Sequence, residues 1–316
     1  MVTIPEIVFI IISPKNYLIA ICFKDLDPKS NLYLLTRYTD VYWYIIILIK
    51  MARNTSFIKL EGTLDGLTFY NKDGENVVKT KSSVSKNRIM NDPTYKRTRE
   101  NMIEFGGASK VAKAFRDAFA NVVRLMGDTY LSGRLNRTMK LINKNGSGVR
   151  GERDFDVVSM RDILLNFEFN LNDPFNTQFF APSGLPSINA TRDIVTWLVP
   201  DFDTDSYLRA PEGATHFKLV LAAGYVDNYV FEKTTETYVP TDELVNGRGD
   251  VFYSDAIALG GMVGADTTLT VDMSALGVIP ASSALFATVG IVFYQEINSE
   301  LYVLAQGNAM KVAVTG

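Results

Sequence analysis

The sequence predicts an α+β fold: a small N-terminal β-meander plus helices, followed by an antiparallel β-sandwich domain. Three observations predict it. Short β-rich runs around residues 56–80 are punctuated by Asp65-Gly66 and by Asn71-Lys72-Asp73-Gly74. Apolar residues then recur at helical spacing to about Asn143. From Ile163 onward that period fades, and short alternating runs separated by turn residues replace it.

The first 50 residues stand apart. They are crowded with Ile, Leu, Tyr and Lys, and hold Cys22, the only cysteine of the chain. Two apolar runs, Ile4–Ile12 and Tyr17–Phe23, are separated by Ser13-Pro14-Lys15-Asn16, and Val41–Ile49 is nine residues long. None reaches the roughly 18–20 apolar residues needed to span a bilayer. A basic start and a small-residue cleavage site, the marks of a secretory signal, are missing. Residues 1–50 read as an upstream extension, with the native protein beginning at Met51 or Ala52. The alternative is a membrane-associated segment.

From Met51 the elements follow in order. Ser56–Gly62, Leu67–Tyr70 and Val77–Thr80 form a three-stranded meander, because Asp-Gly between β-rich runs is a strong hairpin signal. Asp92 caps and Pro93 opens a first helix, which ends at Gly106-Gly107. A second helix, about Ala108–Met126, carries Val111, Ala112, Phe115, Phe119 and Val122 on one stripe. A third, about Thr129–Asn143, aligns Leu131, Leu135, Met139 and Ile142. The polar stretch 146–154 divides a domain of residues 51–150 from one of residues 151–316. Strands are expected at Leu164–Leu171, Ile194–Val199, His216–Ala222, Tyr229–Lys233, Leu269–Met273, Ala284–Tyr294 and Leu301–Leu304, enough for a sandwich that folds when residues 155–316 are expressed alone.

Val84-Ser85-Lys86-Asn87-Arg88-Ile89, Thr98-Arg99-Glu100-Asn101 through Glu104-Phe105-Gly106, Ala210–Phe217 and Phe293–Asn298 carry a likeness. From about Ser56 to its C-terminus the chain resembles a family of uncharacterised proteins common in Bacteroidota, especially flavobacteria. Their members open with a short hairpin, a Ser-Lys-Arg-Ile-like segment and a T-R-E-N-x-x-E-F-G helix. The resemblance implies the architecture and no activity. It leaves out residues 1–50.

Motif by motif, the chemistry is sparse. Gly106–Lys110 opens the second helix but lacks the spacing of a phosphate loop. Asp201, Asp203 and Asp205, with Glu212, follow calcium-loop spacing, yet Ser206 stands where glycine is required, so a solvated acidic loop is the preferred reading. His216, the single histidine, reads as a hydrogen-bonded structural residue. No catalytic set, cofactor or small-molecule substrate is expected, and the protein is read as a non-enzyme.

Charge is the functional lead. The chain is −3 overall, but residues 51–153 carry 20 Lys and Arg against 10 Asp and Glu, whereas residues 154–316 carry 7 against 21. Lys79, Lys81, Lys86, Arg88, Lys96, Arg97 and Arg99 fall within 21 residues, and Lys110, Lys113 and Arg116 continue the series. The expected function is a non-enzymatic structural or assembly protein of the cytoplasm, which associates with copies of itself or with another protein through this basic face and the acidic domain. The alternative is binding of nucleic acid or another polyanion through residues 79–116.

Overall fold

A computed structural model describes residues 8–12, 18–22, 51–53, 60–72, 74–80 and 84–316, which fall into two compact units, Met1–Ser85 and Lys86–Gly316. In the first unit β1 (Val8–Ile12) pairs antiparallel with β2 (Leu18–Cys22). A separate sheet holds β3 (Met51–Arg53), β4 (Gly62–Leu64), β5 (Leu67–Lys72) and β6 (Glu75–Thr80) in the order β3-β6-β5-β4. The β4–β5 hairpin turns at Asp65-Gly66, whose φ angles of 46° and 81° are the left-handed pair that a type I′ turn demands. Two of the three expected meander strands are present as β5 and β6, flanked by β4 and β3. The expected first strand, Ser56–Gly62, lies mostly outside the described residues.

In the second unit α1 (Lys86–Asn91) ends at Asp92, which caps a 3₁₀ turn, Pro93–Tyr95, by accepting from the Thr94 amide at 2.9 Å. This turn feeds directly into α2 (Lys96–Ala118). After Phe119 come α3 (Ala120–Met126) and α4 (Leu131–Asn145). Two short helices, α5 (Phe175–Gln178) and α6 (Thr204–Tyr207), lie among the strands. Those strands are β7 (Ser187–Ile188), β8 (Ile194–Val199), β9 (His216–Asp227), β10 (Tyr229–Glu232), β11 (Thr237–Pro240), β12 (Gly249–Tyr253), β13 (Ile257–Ala258), β14 (Thr267–Asp272), β15 (Ser283–Ile297), β16 (Glu300–Val303) and β17 (Ala309–Thr315).

The central element is a six-stranded antiparallel sheet in which β9 pairs along its whole length with β15. Side chains alternate across a strand, so both faces of this pair can be apolar. Val220, Ala222, Val226, Phe286, Val292, Met310 and Val312 join one core with the buried stripes of α2, α3 and α4. Phe217, Leu219, Leu221, Leu285, Val289 and Ile291 join another core with Val195, Trp197, Leu269 and Val271 of a three-stranded sheet, β14-β8-β7. The layers thus run helices, large sheet, small sheet. The two-sheet packing agrees with the expected sandwich, and helices cover its other side.

Several sequence expectations need correction. No helix ends at Gly106-Gly107, because α2 runs through both. Gly107 serves close packing instead: a Cβ there would collide with the Tyr238 ring, and with Phe155 at 2.8 Å. The real interruption is at Phe119, inside the expected second helix, with φ −111° and ψ 23°. Leu164–Leu171 is not a strand: a 3₁₀ turn covers Arg161–Leu164, and Asn166 is left-handed at φ 59°. The segment still tracks the edge of β17, where Phe169 donates to the Met310 carbonyl at 2.9 Å. In the second unit, strands β7, β11, β12, β13 and β17 have no counterpart among the expected ones.

The compact units divide at Ser85/Lys86, away from the expected boundary at 146–154, because the helices share their core with the large sheet. Residues 86–316 should therefore melt cooperatively. Residues 155–316 alone should show no cooperative thermal transition by circular dichroism, since one face of β9 and β15 would lose its cover.

Candidate functional site

The helical layer sets the geometry of the basic cluster. Residues 86–145 hold thirteen Lys and Arg against five Asp and Glu. Each of the five carboxylates has a cation: Asp92 meets Arg88 at 3.3 Å, Glu100 meets Arg97 at 2.9 Å, Glu104 meets Lys140 and Arg153, Asp117 meets Lys113 at 2.5 Å, and Asp128 meets Arg134 at 2.8 Å. What remains on the solvent side is cationic: Lys86, Lys96, Arg124, Arg137 and Lys144 are exposed, and Arg116 is half-buried. Arg124, Arg137 and Lys144 were not among the expected site residues. They occupy the polar faces of α3 and α4, opposite the apolar stripes, which is the signal that could have placed them there.

The residues of the expected cluster have different surroundings. Lys79 belongs to the first unit, its ammonium 5.2 Å from the Tyr70 ring centroid, and Lys81 lies outside the described residues. Arg99 is structural: it donates to the carbonyls of Ile89 at 2.7 Å and Asp92 at 3.0 Å, closing the end of α1 onto α2. Lys110 is tied to Thr237 Oγ1 at 2.5 Å and the Tyr238 carbonyl at 3.0 Å, which docks the β10–β11 hairpin on α2. With Lys113, Asp117, Glu243 and Arg248 it lines a groove of about 610 Å³. Gly106–Lys110 lies inside α2, so its amides serve the helix ladder and face no anion.

The most buried charge of the layer is Glu104, whose side chain is 0% exposed. Arg153 clamps it with two bonds of 2.8 and 2.9 Å, the Gly151 amide donates at 2.8 Å, and Lys140 completes the set. Burial alone would raise its pKa. The hydrogen bonds from Arg153, Lys140 and Gly151 win, and hold it at about 2 against an ordinary 4.5. Around it Arg150 donates to Asn101 Oδ1 at 3.0 Å, and Asn143 donates to the Arg153 carbonyl at 2.5 Å. Arg99, Glu100, Asn101 and Glu104 thus act as anchors that fasten α1 and the segment 150–153 to α2.

On the small-sheet side most charges are negative and differently held; the cation there, Arg192, donates to the carbonyls of Ser283 at 2.6 Å and Pro280 at 2.8 Å. Asp193 and Asp272 stand at one end of the β8–β14 pair, and Asp201 and Asp266 at the other. Their donors are neutral. Thr191 Oγ1 at 2.5 Å and Asn189 Nδ2 at 2.6 Å serve Asp193, the Ser274 amide at 2.9 Å serves Asp272, the Gly264 amide at 2.8 Å serves Asp201, and the Asp201 amide at 2.9 Å serves Asp266. Those hydrogen bonds, with Thr191 and Ser274 foremost, keep Asp193 and Asp272 below the usual carboxylate range. Asp203 caps α6, accepting from the Ser206 hydroxyl at 2.5 Å, and Asp205 is exposed. Among the described residues no group of three or more His, Cys, Asp or Glu is placed to hold a metal ion. His216 Nδ1 lies 3.0 Å from Thr215 Oγ1 and 3.7 Å from Glu296. Among the described residues no helix is long and apolar enough to cross a membrane. No family model matches the chain, and no curated protein matches it.

Two outcomes test this electrostatic frame. Because the pKa of Glu104 is depressed on folding, its contribution is complete above pH 4.5 and fades as pH falls toward 2. Glu104→Gln should cost about 3 kcal/mol in urea unfolding at neutral pH, with a smaller difference at low pH. Arg99→Ala should destabilise by about 1.5–3 kcal/mol through its lost carbonyl bonds, whereas Lys96→Ala should change stability by under about 0.5 kcal/mol.

Proposed function

We propose that this protein is a non-enzymatic assembly subunit of the cytoplasm that associates head to tail with further copies of itself. The basic solvent side of its helical layer would meet the aspartate-flanked small sheet of a neighbour. One observation carries the reading. The helical layer neutralises each of its own carboxylates and still leaves exposed cations, while the aspartates at both ends of β8–β14 are held by neutral donors. Fields of opposite sign would therefore lie on opposite sides of the central sheet, the acidic one tempered by Arg192 beside Asp193. Such a contact is heterologous, and it builds rings or open filaments. The likeness to a Bacteroidota family belongs to the same proposal and adds no activity to it.

Sedimentation velocity tests the idea. At low salt the protein should sediment as species larger than the monomer. Raising salt from 0.1 M to 1 M, which shortens the Debye length from about 10 Å to about 3 Å, should dissociate them. Reversing Lys96, Arg137 and Lys144 to Glu should do the same while leaving the melting temperature nearly unchanged. A monomer that ignores salt sinks the proposal. A monomer that shifts only when duplex DNA is added would favour polyanion binding through the same cations.

A further inference from the structure

A cavity of about 360 Å³ opens where the core between the two sheets reaches the surface, under the segment that joins α5 to β7. Its size falls in the range of about 300–1,000 Å³ typical of small-ligand sites. The wall is aromatic: Phe175 and Phe179 stack at 5.3 Å, and Trp197 meets Phe179 edge-on at 5.9 Å. The floor is made of small residues, Ala313 and Val289 among them. At Ala313 the β15–β17 ladder slips, since Ala287 pairs with Val314 and Thr288 with Val312. This bulge leaves Ala313 without a cross-strand partner, and bulges recur where a sheet re-aims side chains beside a site. The rim exposes Phe180 at 52% and Leu185 at 73%, apolar surface that the fold itself does not cover.

One cation overlooks this apolar space. The Lys311 ammonium sits 5.6 Å from the Phe175 ring centroid and donates to Asn176 Oδ1, a neutral group, at 2.9 Å. Glu168 pairs with Lys311 across the backbone and its carboxylate feels the Lys311 charge, while its hydrogen bond comes from the Phe175 amide at 3.0 Å. An aromatic wall, a floor of small side chains and a lysine whose hydrogen bond goes to an amide together fit one kind of molecule. We infer that this cavity binds a small amphipathic anion, an apolar tail carrying a single carboxylate, with the tail against Phe179 and Trp197 and the carboxylate on Lys311.

Octanoate, octanol and octylammonium share a tail and differ in head charge, so they serve as probes of the full chain. Calorimetry should show octanoate binding about tenfold tighter than octanol, since a charge-assisted bond exceeds a neutral one by about 1.4 kcal/mol, and octylammonium weakest. Binding should also change the fluorescence of Trp197, read in a Trp43→Phe background. Lys311→Met should abolish the preference for octanoate while octanol still binds. Leu185→Asp, at an exposed rim position, should weaken octanoate more than octylammonium. Absence of octanoate binding up to millimolar concentration overturns the inference, and so does an octanoate preference that survives Lys311→Met.

Discussion

The pairing of β9 with β15 is the constraint on which the rest of the second unit depends. Both strands are buried on both faces over most of their length. An antiparallel sheet usually leaves one face to water. Here neither face can be left open, so the chain must supply two covers. Residues 96–145 supply the helical one, and β7, β8 and β14 supply the other. Close approach of the helical cover follows from small residues. Ala118 lies against Gly224 and Gly249, and a Cβ on either glycine would run into it. The β-rich half is therefore incomplete without the helices that precede it.

Glu104 ties that cover to the connection behind it. A buried carboxylate is stable only when its partners are complete, and here two cations and an amide complete it. The arrangement draws residues 150–153 onto α2 and lets Phe155 reach Tyr229, where the two exchange backbone bonds of 2.8 and 3.0 Å. The T-R-E-N-x-x-E stretch thus has a physical reason that needs no ligand. Arg99 closes α1, Glu100 and Asn101 hold Arg150, and Glu104 holds Arg153.

What could be read from the sequence was what depends on local chemistry. Asp65-Gly66 specified its turn, Asp92-Pro93 specified a helical start, and the spacing of Leu131, Leu135, Met139 and Ile142 specified the buried face of α4. Errors arose where tertiary contact decides. Gly106-Gly107 has the composition of a break, but the ring of Tyr238, over a hundred residues away, is what needs Gly107. Leu165, Phe167, Phe169 and Leu171 alternate like a strand, yet Asn166 turns left-handed and Leu171 stays exposed. Strand β12, with Gly249, Asp250 and only three larger apolar residues, has no pattern of its own and exists because β9 offers it an edge. The basic cluster was legible as composition. Its division into cations tied into the fold, such as Arg99 and Lys110, and exposed ones, such as Lys96, was not, because Arg99 and Lys96 differ only in what lies beside them.

The segregation of charge follows from this layering. Apart from Glu104, the charged residues of these amphipathic helices lie toward solvent, so the helical cover places most of its charge on one broad side of the second unit. In α2 and α4 that charge is mostly positive, and the few carboxylates sit within one or two turns of a cation or meet one across the helix pair. The small sheet has threonines, Thr196, Thr268 and Thr270, on its outer positions, and its aspartates collect at the strand ends, where carboxylates accept turn amides. Turn amides satisfy an aspartate's hydrogen bonding without cancelling its charge. Two ordinary local preferences, solvated cations on helices and aspartates in turns, therefore combine in the second unit to put mostly cations on one side of the large sheet and mostly aspartates on the other. Complementary fields steer partners into a preferred orientation. When both fields belong to the same chain, they can meet across two copies, which is the association proposed above.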